Sequence, residues 1–307
     1  MIFTFAKVNC LRTALDLDAS SGSSWWLMIE LSAEMRDRFP GADAFEQVMA
    51  LDGEVYRAKE GRRTLLFEHE GREYFAKIHH GIGWGEIWKN LSSFRLPVTD
   101  ASNEWKAVNL LEKEGVATVK IVGKGMRGSN PAKRESFVIM EALEERVEVE
   151  DFLKQMNHLS VVQRLALKRE IITTVADAAR RMHEGGMNHR DFYLCHFHIM
   201  DRDWSEWKEG ESMRLPLLDL HRAQIRDKVP QRWLMKDLGA LLFSATDCKI
   251  TDRDVVTFLK VYLGDQWREK LQSDEKLWQG VVSRATGFYQ KHRGESARLP
   301  GIFAQLT

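Results

Sequence analysis

The chain predicts an α+β fold of two lobes, a small strand-rich one and a larger helical one. Strand signals cluster in the first half, where Thr64-Leu65-Leu66-Phe67 and Tyr74-Phe75-Ala76-Lys77-Ile78 flank Glu70-Gly71 as the two arms of a hairpin. From Val149 onward the periodicity is helical. The 307 residues are 44% apolar, enough to fill two cores without disulfide or metal staples. The expected boundaries are an extension over 1–42, a small lobe over 43–143, a helical lobe over 144–285 and a polar tail over 286–307.

Lys plus Arg and Asp plus Glu stand at 45 each, so net charge gives no reason to expect a nucleic-acid partner. Cys10, Cys195 and Cys248 leave one thiol over in any disulfide scheme, which points to a reducing compartment. No apolar run approaches the roughly 20 residues that span a bilayer. Ten tryptophans leave material for a peripheral lipid contact.

Taken in order, Met1 to Glu30 is broken by Lys7, Arg12 and the loop-like Ser20 to Ser24, unlike a secretory signal; Met28 and Met35 are further available initiators. Strand language begins at Tyr56, and Lys77 falls near the end of a strand. Gly81 to Pro97 carries Trp84, Ile87, Trp88, Leu91 and Phe94 at helical spacing, either covering a core or lying in a membrane interface. Asn103 to Gly115 is a second helix with Glu104 in its first turn and Gly115 as its cap. Val116 to Gly123 and Ser136 to Met140 read as strands joined by a polar loop. Val149 to Met156 is a short helix. Ser160 and Gln163 have capping-box spacing before a long apolar-periodic helix that Gly185-Gly186 ends. A charged insertion over Asp201 to Gly210 is followed by helices from Gln231 to Phe243, from Thr251 to Leu263, and on to Gly287.

Between the long helix and those that follow lies His189-Arg190-Asp191-Phe192-Tyr193-Leu194-Cys195-His196-Phe197-His198, and after it Leu217-Leu218-Asp219-Leu220-His221. An HRD opening with a later apolar-flanked Asp reads as a phosphotransfer centre, in which Asp191 orients an acceptor hydroxyl and Asp219 holds magnesium on the transferred phosphate. Lys77 would neutralise nucleotide phosphates and Glu104 would position it. His189, Cys195, His196 and His198 also admit a zinc site, although adjacency alone does not make a tetrahedral shell. His221, Arg222, Arg226, Lys228 and Arg232 form a basic stretch, read either as a solvated face or as a site for an anionic glycolipid.

Together with Gly53-Glu54-Val55-Tyr56-Arg57, Glu60-Gly61-Arg62-Arg63-Thr64, Gly83-Trp84-Gly85-Glu86-Ile87 and Asn103-Glu104-Trp105, these stretches resemble the lipopolysaccharide core heptose kinases, within the protein-kinase-like superfamily, from Asp43 to Ala285. The resemblance implies a bilobal protein-kinase-like fold and ATP- and Mg2+-dependent phosphorylation of the first inner-core heptose at O4. It also implies a lipid A-core glycolipid acceptor and peripheral contact with the cytoplasmic face of the inner membrane, in a cytoplasmic protein. No clear protein partner is expected.

The family's nucleotide lysine falls on Lys77, its helix glutamate on Glu104, its base on Asp191 and its metal aspartate on Asp219. His196 stands where a protein kinase has a metal-binding Asn, so it is either a second metal residue or a hydrogen-bonding support of the loop. Gly61 is the only glycine between Arg57 and Arg63, so the phosphate loop of a protein kinase is poorly reproduced. Arg57, Arg62 and Arg63 there read equally as phosphate contacts, with Arg62 the candidate in nucleotide binding, or as solvated strand-edge arginines. Few residues separate Asp219 from Gln231 and they hold no Ala-Pro-Glu, which disfavours a protein substrate. A kinase of another sugar or of a protein remains the alternative reading, ahead of a zinc-binding non-kinase.

Overall fold

The structure, a computed structural model, describes residues 27–59, 61–92, 97–200 and 204–305. The readings for Met1 to Trp26, Cys10 among them, for Glu60 and Phe94, and for Asp201 to Asp203 lie outside the described residues. The chain divides into two compact units, one of residues 1–105 with 120–142, the other of 106–119 with 143–307.

The first unit is built on an antiparallel six-stranded sheet in the order β1-β5-β6-β4-β3-β2. Its strands are β1 (Leu27–Leu31), β2 (Glu54–Lys59), β3 (Arg62–His69), β4 (Arg72–His79), β5 (Ile121–Arg127) and β6 (Glu135–Glu141). The expected hairpin joins β3 to β4: Glu70 and Gly71 both take positive φ, 51° and 74°, as a two-residue turn matched to strand twist requires. Alternation along β4 sends Tyr74, Ala76 and Ile78 into the core and leaves Phe75 and Lys77 on the opposite face.

Helices α1 (Ala33–Arg38) and α2 (Ala44–Met49) bring Met35, Phe45 and Val48 into the same core. The described part of the expected extension is therefore integral to this unit. β1 pairs with β5 from Leu27↔Arg127 to Leu31↔Gly123, and Leu27, Ile29 and Leu31 pack on the core. A five-residue edge strand is too short to announce itself by alternation. The first strand of the second hairpin lies further along the chain than its apolar pattern suggested, at Ile121–Arg127. Gly123 and Gly125 are tolerated within it because Ile139 and Phe137 occupy the space a Cβ would need.

Helix α3 (Gly83–Ser92) buries Ile87 and exposes Trp84, Trp88 and Leu91. Helix α4 (Ser102–Lys113) gives its first residues to the first unit and the rest to the second.

The second unit is helical, with α5 (Val149–Gln155), α6 (Val161–Glu184), α7 (Gln231–Thr246), α8 (Asp252–Leu263), α9 (Trp267–Ser273) and α10 (Glu275–Arg293). The Ser160/Gln163 capping box opens α6 and Gly185 caps its end. A second box, Thr251 with Asp254, opens α8. The core joins Leu238 and Leu242 of α7 to Val255 and Leu259 of α8 and to Trp278, Val281 and Val282 of α10. Residues expected to form a polar tail belong partly to this core: Phe303 is buried in it and Leu299 and Ile302 pack against it. Four short strands frame the loop described next, β7 (Arg146–Glu148), β8 (Met187–Asn188), β9 (His198–Met200) and β10 (Gln224–Ile225), paired β7 with β9 and β8 with β10. Among the described residues no helix is long and apolar enough to cross a membrane.

Candidate active site

The sequence-predicted residues fall into two sets, one in each unit. In the first unit, Lys77 lies on the face of β4 turned away from the core, flanked in register by Thr64 and Val138. Its Nζ is 2.5 Å from Oε1 of Glu104, whose side chain is 5% exposed against 24% for the lysine. A buried carboxylate that fixes one ammonium without covering it leaves the lysine charge presented to a further anion. Gly61 closes the turn before β3 at φ 73°, and His80 donates its N–H to the Gly61 carbonyl at 2.8 Å. Arg62 donates through Nη2 to the Val98 carbonyl, which commits one end of its guanidinium to the chain, and Arg63 donates to Met49 O at 2.9 Å.

In the second unit the loop from His189 to His196 hangs from one buried carboxylate. Asp237, fully buried on α7, accepts the backbone N–H of His189 at 2.7 Å and that of Arg190 at 2.9 Å. Arg190 takes φ 77°, a left-handed conformation that costs about 1 kcal/mol or more in a non-glycine residue. The paired amide bonds hold it there. Behind Asp237, His183 brings Nε2 to 3.4 Å from the carboxylate and Nδ1 to 2.8 Å from the Tyr262 hydroxyl.

The turned loop presents the Asp191 carboxylate to Arg222, whose Nη1 lies 2.8 Å from each oxygen. His196 brings Nδ1 to 2.6 Å from the Asp191 carbonyl, and its ring stacks on that of His189 at 5.5 Å. Burial holds the His189 imidazole below its ordinary pKa. As a neutral ring it donates from Nε2 to the Leu218 carbonyl at 2.9 Å, while Leu218 N donates to His196 O at 2.9 Å. These bonds tie the segment carrying Asp219 to the loop carrying Asp191.

Asp219 is left-handed, with φ 60° and ψ 50°, and opens the turn Leu220–Arg222. Its Oδ1 is 2.5 Å from His221 Nδ1, its Oδ2 3.7 Å from His196 Nε2, and its side chain is 39% exposed. Two carboxylates from separate stretches, one clamped by an arginine and one partly open among imidazoles, are suited to positioning a hydroxyl and a hard cation respectively.

Zinc finds no such support: among the described residues no three His, Cys, Asp or Glu side chains converge on a metal position. Burial pushes the Cys195 thiol up to about 11, so it is not poised as a thiolate ligand. Sequence reasoning missed Asp237 altogether and read Arg222 within a basic stretch, as a solvated face or an anionic glycolipid site, rather than as the partner of Asp191. The signal for Asp237 was faint: it is the one acid between Leu234 and Phe243, but the adjacent Lys236 makes the pair read as the solvated edge of an otherwise apolar helix.

The "Lipopolysaccharide kinase (Kdo/WaaP) family" matches residues 46–262 of the chain. A "Lipopolysaccharide core heptose(I) kinase WaaP" of Pseudomonas aeruginosa is 45% identical over 252 residues, 82% of this chain and 92% of that protein. Its namesake from Escherichia coli is 42% identical over 81% and 92%. A solved structure described as "WaaP in complex with acyl carrier protein" matches with a TM-score of 0.71 at 38% identity, covering 85% of this chain and 99% of that one. The likeness carries the bilobal protein-kinase-like fold expected from the sequence. It also corrects one expectation: no clear protein partner was foreseen, and the solved relative is held in complex with one. Surfaces that dock a partner are assembled from residues distant in sequence and carry no spacing of their own, so the sequence had no means of announcing it.

Proposed function

We propose, from the premise that this chain belongs to the lipopolysaccharide kinase (Kdo/WaaP) family, that it phosphorylates the first inner-core heptose of lipopolysaccharide at O4, using ATP. The observation that carries this reading is the loop geometry of the second unit, where Asp237 sets the backbone of the HRD stretch and Arg222 aims the Asp191 carboxylate. Asp191 then accepts or orients the proton of the acceptor hydroxyl, and Arg222 restricts the carboxylate to one orientation. Lys77, steadied by Glu104, binds nucleotide phosphates, and Arg62, whose Nη2 donates to the Val98 carbonyl, is a candidate for further phosphate contact.

The donor set fits magnesium. Asp219 supplies hard carboxylate oxygen with its side chain 39% exposed, and a cation that takes most of its shell from phosphates and water needs only one or two protein carboxylates. Bound there with the nucleotide, it would supply charge neutralisation on the transferring phosphoryl group. His196 serves better as the support of the loop than as a second ligand, because its Nδ1 already meets the Asp191 carbonyl and imidazole is a poor magnesium donor.

Two associations belong to the same reading. One is peripheral contact with the cytoplasmic face of the inner membrane, supported by Trp84, Trp88 and Leu91 exposed along one side of α3 at 51%, 65% and 42%. The other is complex formation with acyl carrier protein, as in the solved relative. Incubation of the purified chain with ATP, magnesium and dephosphorylated core glycolipid should yield a phosphomonoester on the heptose, located at O4 by NMR. Phosphate appearing only on an added protein would move the assignment to a protein kinase. Co-purification with acyl carrier protein and flotation with anionic vesicles test the two associations separately.

A further inference from the structure

Beside the Asp191 loop, one tryptophan is surrounded by cations. Around the Trp233 ring stand Lys236 Nζ at 4.2 Å and the guanidinium carbons of Arg190, Arg232 and Arg226 at 5.3, 5.5 and 5.7 Å from its centroid. An aromatic face attracts a cation, but it carries no net charge and cannot neutralise four. Arg226 is held by two neutral amides, Asn188 Oδ1 and Gln224 Oε1, each at 2.6 Å, which orient the guanidinium and leave its charge uncompensated. The buried Asp237 is committed to the His189 and Arg190 amides. Among the described residues, none of the four cations makes an ion pair with a carboxylate.

The setting adds to the positive potential. Arg232, Trp233 and Lys236 lie in the first two turns of α7, whose N-cap is Pro230, with no side-chain cap and no acid in the first turn. A helix N-terminus favours anions, so cations placed there are destabilising unless something negative joins them. Burial, with Arg284, Arg190 and Arg232 as neighbours, holds the Lys236 ammonium below the ordinary lysine value. Four cations outnumber the two carboxylates near them, Asp191 and the buried Asp237, which are already engaged by Arg222 and by backbone amides. Such an excess of positive charge, preoriented and next to a catalytic carboxylate, describes a binding site for an anion larger than one group.

We propose that Arg190, Arg226, Arg232 and Lys236, arrayed on Trp233, form an acceptor subsite that holds phosphate or carboxylate groups borne by the glycolipid at a distance from the reacting hydroxyl. The proposal rests on the heptose kinase reading and deepens it: the sugar acceptor is recognised as a polyanion, and its acidic groups anchor it while Asp191 addresses the hydroxyl. The site lies where Asp219 and α7 are joined by too short a segment for a peptide-docking platform, and so is open to a non-protein acceptor.

The test compares the full chain with the double variant Arg232→Gln, Lys236→Gln. Neither residue holds the catalytic loop by a hydrogen bond, so both can be neutralised without releasing Asp191. Two readouts are taken. Equilibrium binding to detergent micelles of core glycolipid, with and without its acidic groups, needs no turnover; steady-state kinetics with the acidic acceptor and with a neutral heptose glycoside measures KM and kcat separately. The variant should lose about tenfold or more in affinity and KM for the acidic glycolipid, and its preference for acidic over neutral acceptor should collapse. The charge-keeping swap Arg232→Lys, Lys236→Arg should restore most of both.

Loss of kcat or of cooperative unfolding with an unaltered preference would overturn the proposal in favour of a structural clamp. Equal loss of binding to phosphatidylglycerol vesicles lacking glycolipid, with no excess for the glycolipid, would overturn it in favour of a general membrane contact. Wild-type protein that binds the acidic glycolipid but phosphorylates no heptose would instead sink the kinase assignment and leave the subsite standing.

Discussion

Arg222 brings a single guanidinium nitrogen, Nη1, to 2.8 Å from both carboxylate oxygens of Asp191. The two residues are 31 apart in sequence, and the left-handed turn at Asp219 is what swings Arg222 onto the HRD loop. Because Arg222 fixes an orientation, its removal should act on turnover rather than on nucleotide binding. Arg222→Ala should lower kcat by roughly tenfold to a hundredfold with KM for ATP little changed. Arg222→Lys should fall between, since a point charge cannot hold the carboxylate at the same place. Unchanged kcat in the alanine variant would remove Arg222 from the mechanism.

Asp191 and Asp219 can be separated by the same isosteric change. Asp191→Asn keeps the shape but loses the charged acceptor, and should reduce turnover by about a hundredfold or more while nucleotide and magnesium binding persist. Asp219→Asn removes the hard anionic donor and should weaken magnesium-dependent nucleotide binding as well. Calorimetric titration of Mg-ATP into each variant distinguishes them. Equal, near-wild-type turnover in both would reject the roles assigned here.

Asp237 gives a prediction about stability. Asp237→Ala strands two amide donors, the buried one of His189 and the part-buried one of Arg190, and releases the left-handed Arg190 from its restraint. A cost of about 2 to 5 kcal/mol in urea unfolding is expected, with Asp237→Asn less severe because one carbonyl acceptor survives. A shift below about 0.5 kcal/mol would mean that the loop is held from elsewhere.

These cases also show what could be read from the residues alone. Lys77, Glu104, Asp191 and Asp219 were named because each sits in a local pattern: a strand after a turn, a first helical turn, an HRD triplet, an apolar-flanked acid. The capping box at Ser160 and the Glu70-Gly71 turn are local too, and the structure has them where the spacing puts them. Arg222 on Asp191, Asp237 beneath His189, and four cations around Trp233 are contacts of 31 residues, 48 residues and three separate elements, and no periodicity encodes them. The strand β1 escaped for a different reason. Its five half-buried residues carry no two-sided alternation, and their value lies in the core provided by others.

Cys248 offers a chemical check on the packing of the second unit. Burial, then Glu150, pushes its thiol up to about 12 from an ordinary value of 9.0. A folded pKa raised above the unfolded one means that the neutral thiol is favoured in the fold. The associated stability is intact below about pH 9 and is lost as pH rises through about 12. At pH 8 the thiolate fraction should fall from about one in ten in the unfolded chain to about one in ten thousand in the native one. Iodoacetamide should therefore label Cys248 about a thousandfold more slowly in native protein than in urea, as read by mass spectrometry of the peptide. Labelling at comparable rates would show that the α7–α8 junction opens readily.

His196 decides whether the departure from a protein kinase's Asn is a change of ligand or a change of scaffold. Its Nδ1 lies 2.6 Å from the Asp191 carbonyl, and a ring nitrogen at that distance from a carbonyl must be the protonated one. The remaining nitrogen, Nε2, is 3.7 Å from Asp219 Oδ2, close enough to influence that carboxylate while the first bond holds the loop. An Asn at this position would restore an amide oxygen but is too short to keep the same bond to the Asp191 carbonyl and cannot stack on His189. His196→Asn should therefore lower turnover about tenfold or more, through a loosened Asp191, while the magnesium concentration for half-maximal activity changes less than about threefold. Magnesium titration of ATP-dependent turnover, with thermal unfolding as the control for folding, separates the two roles. A large shift in magnesium requirement with near-normal turnover at saturation would make His196 a ligand, and the hydrogen bond to Asp191 incidental to catalysis.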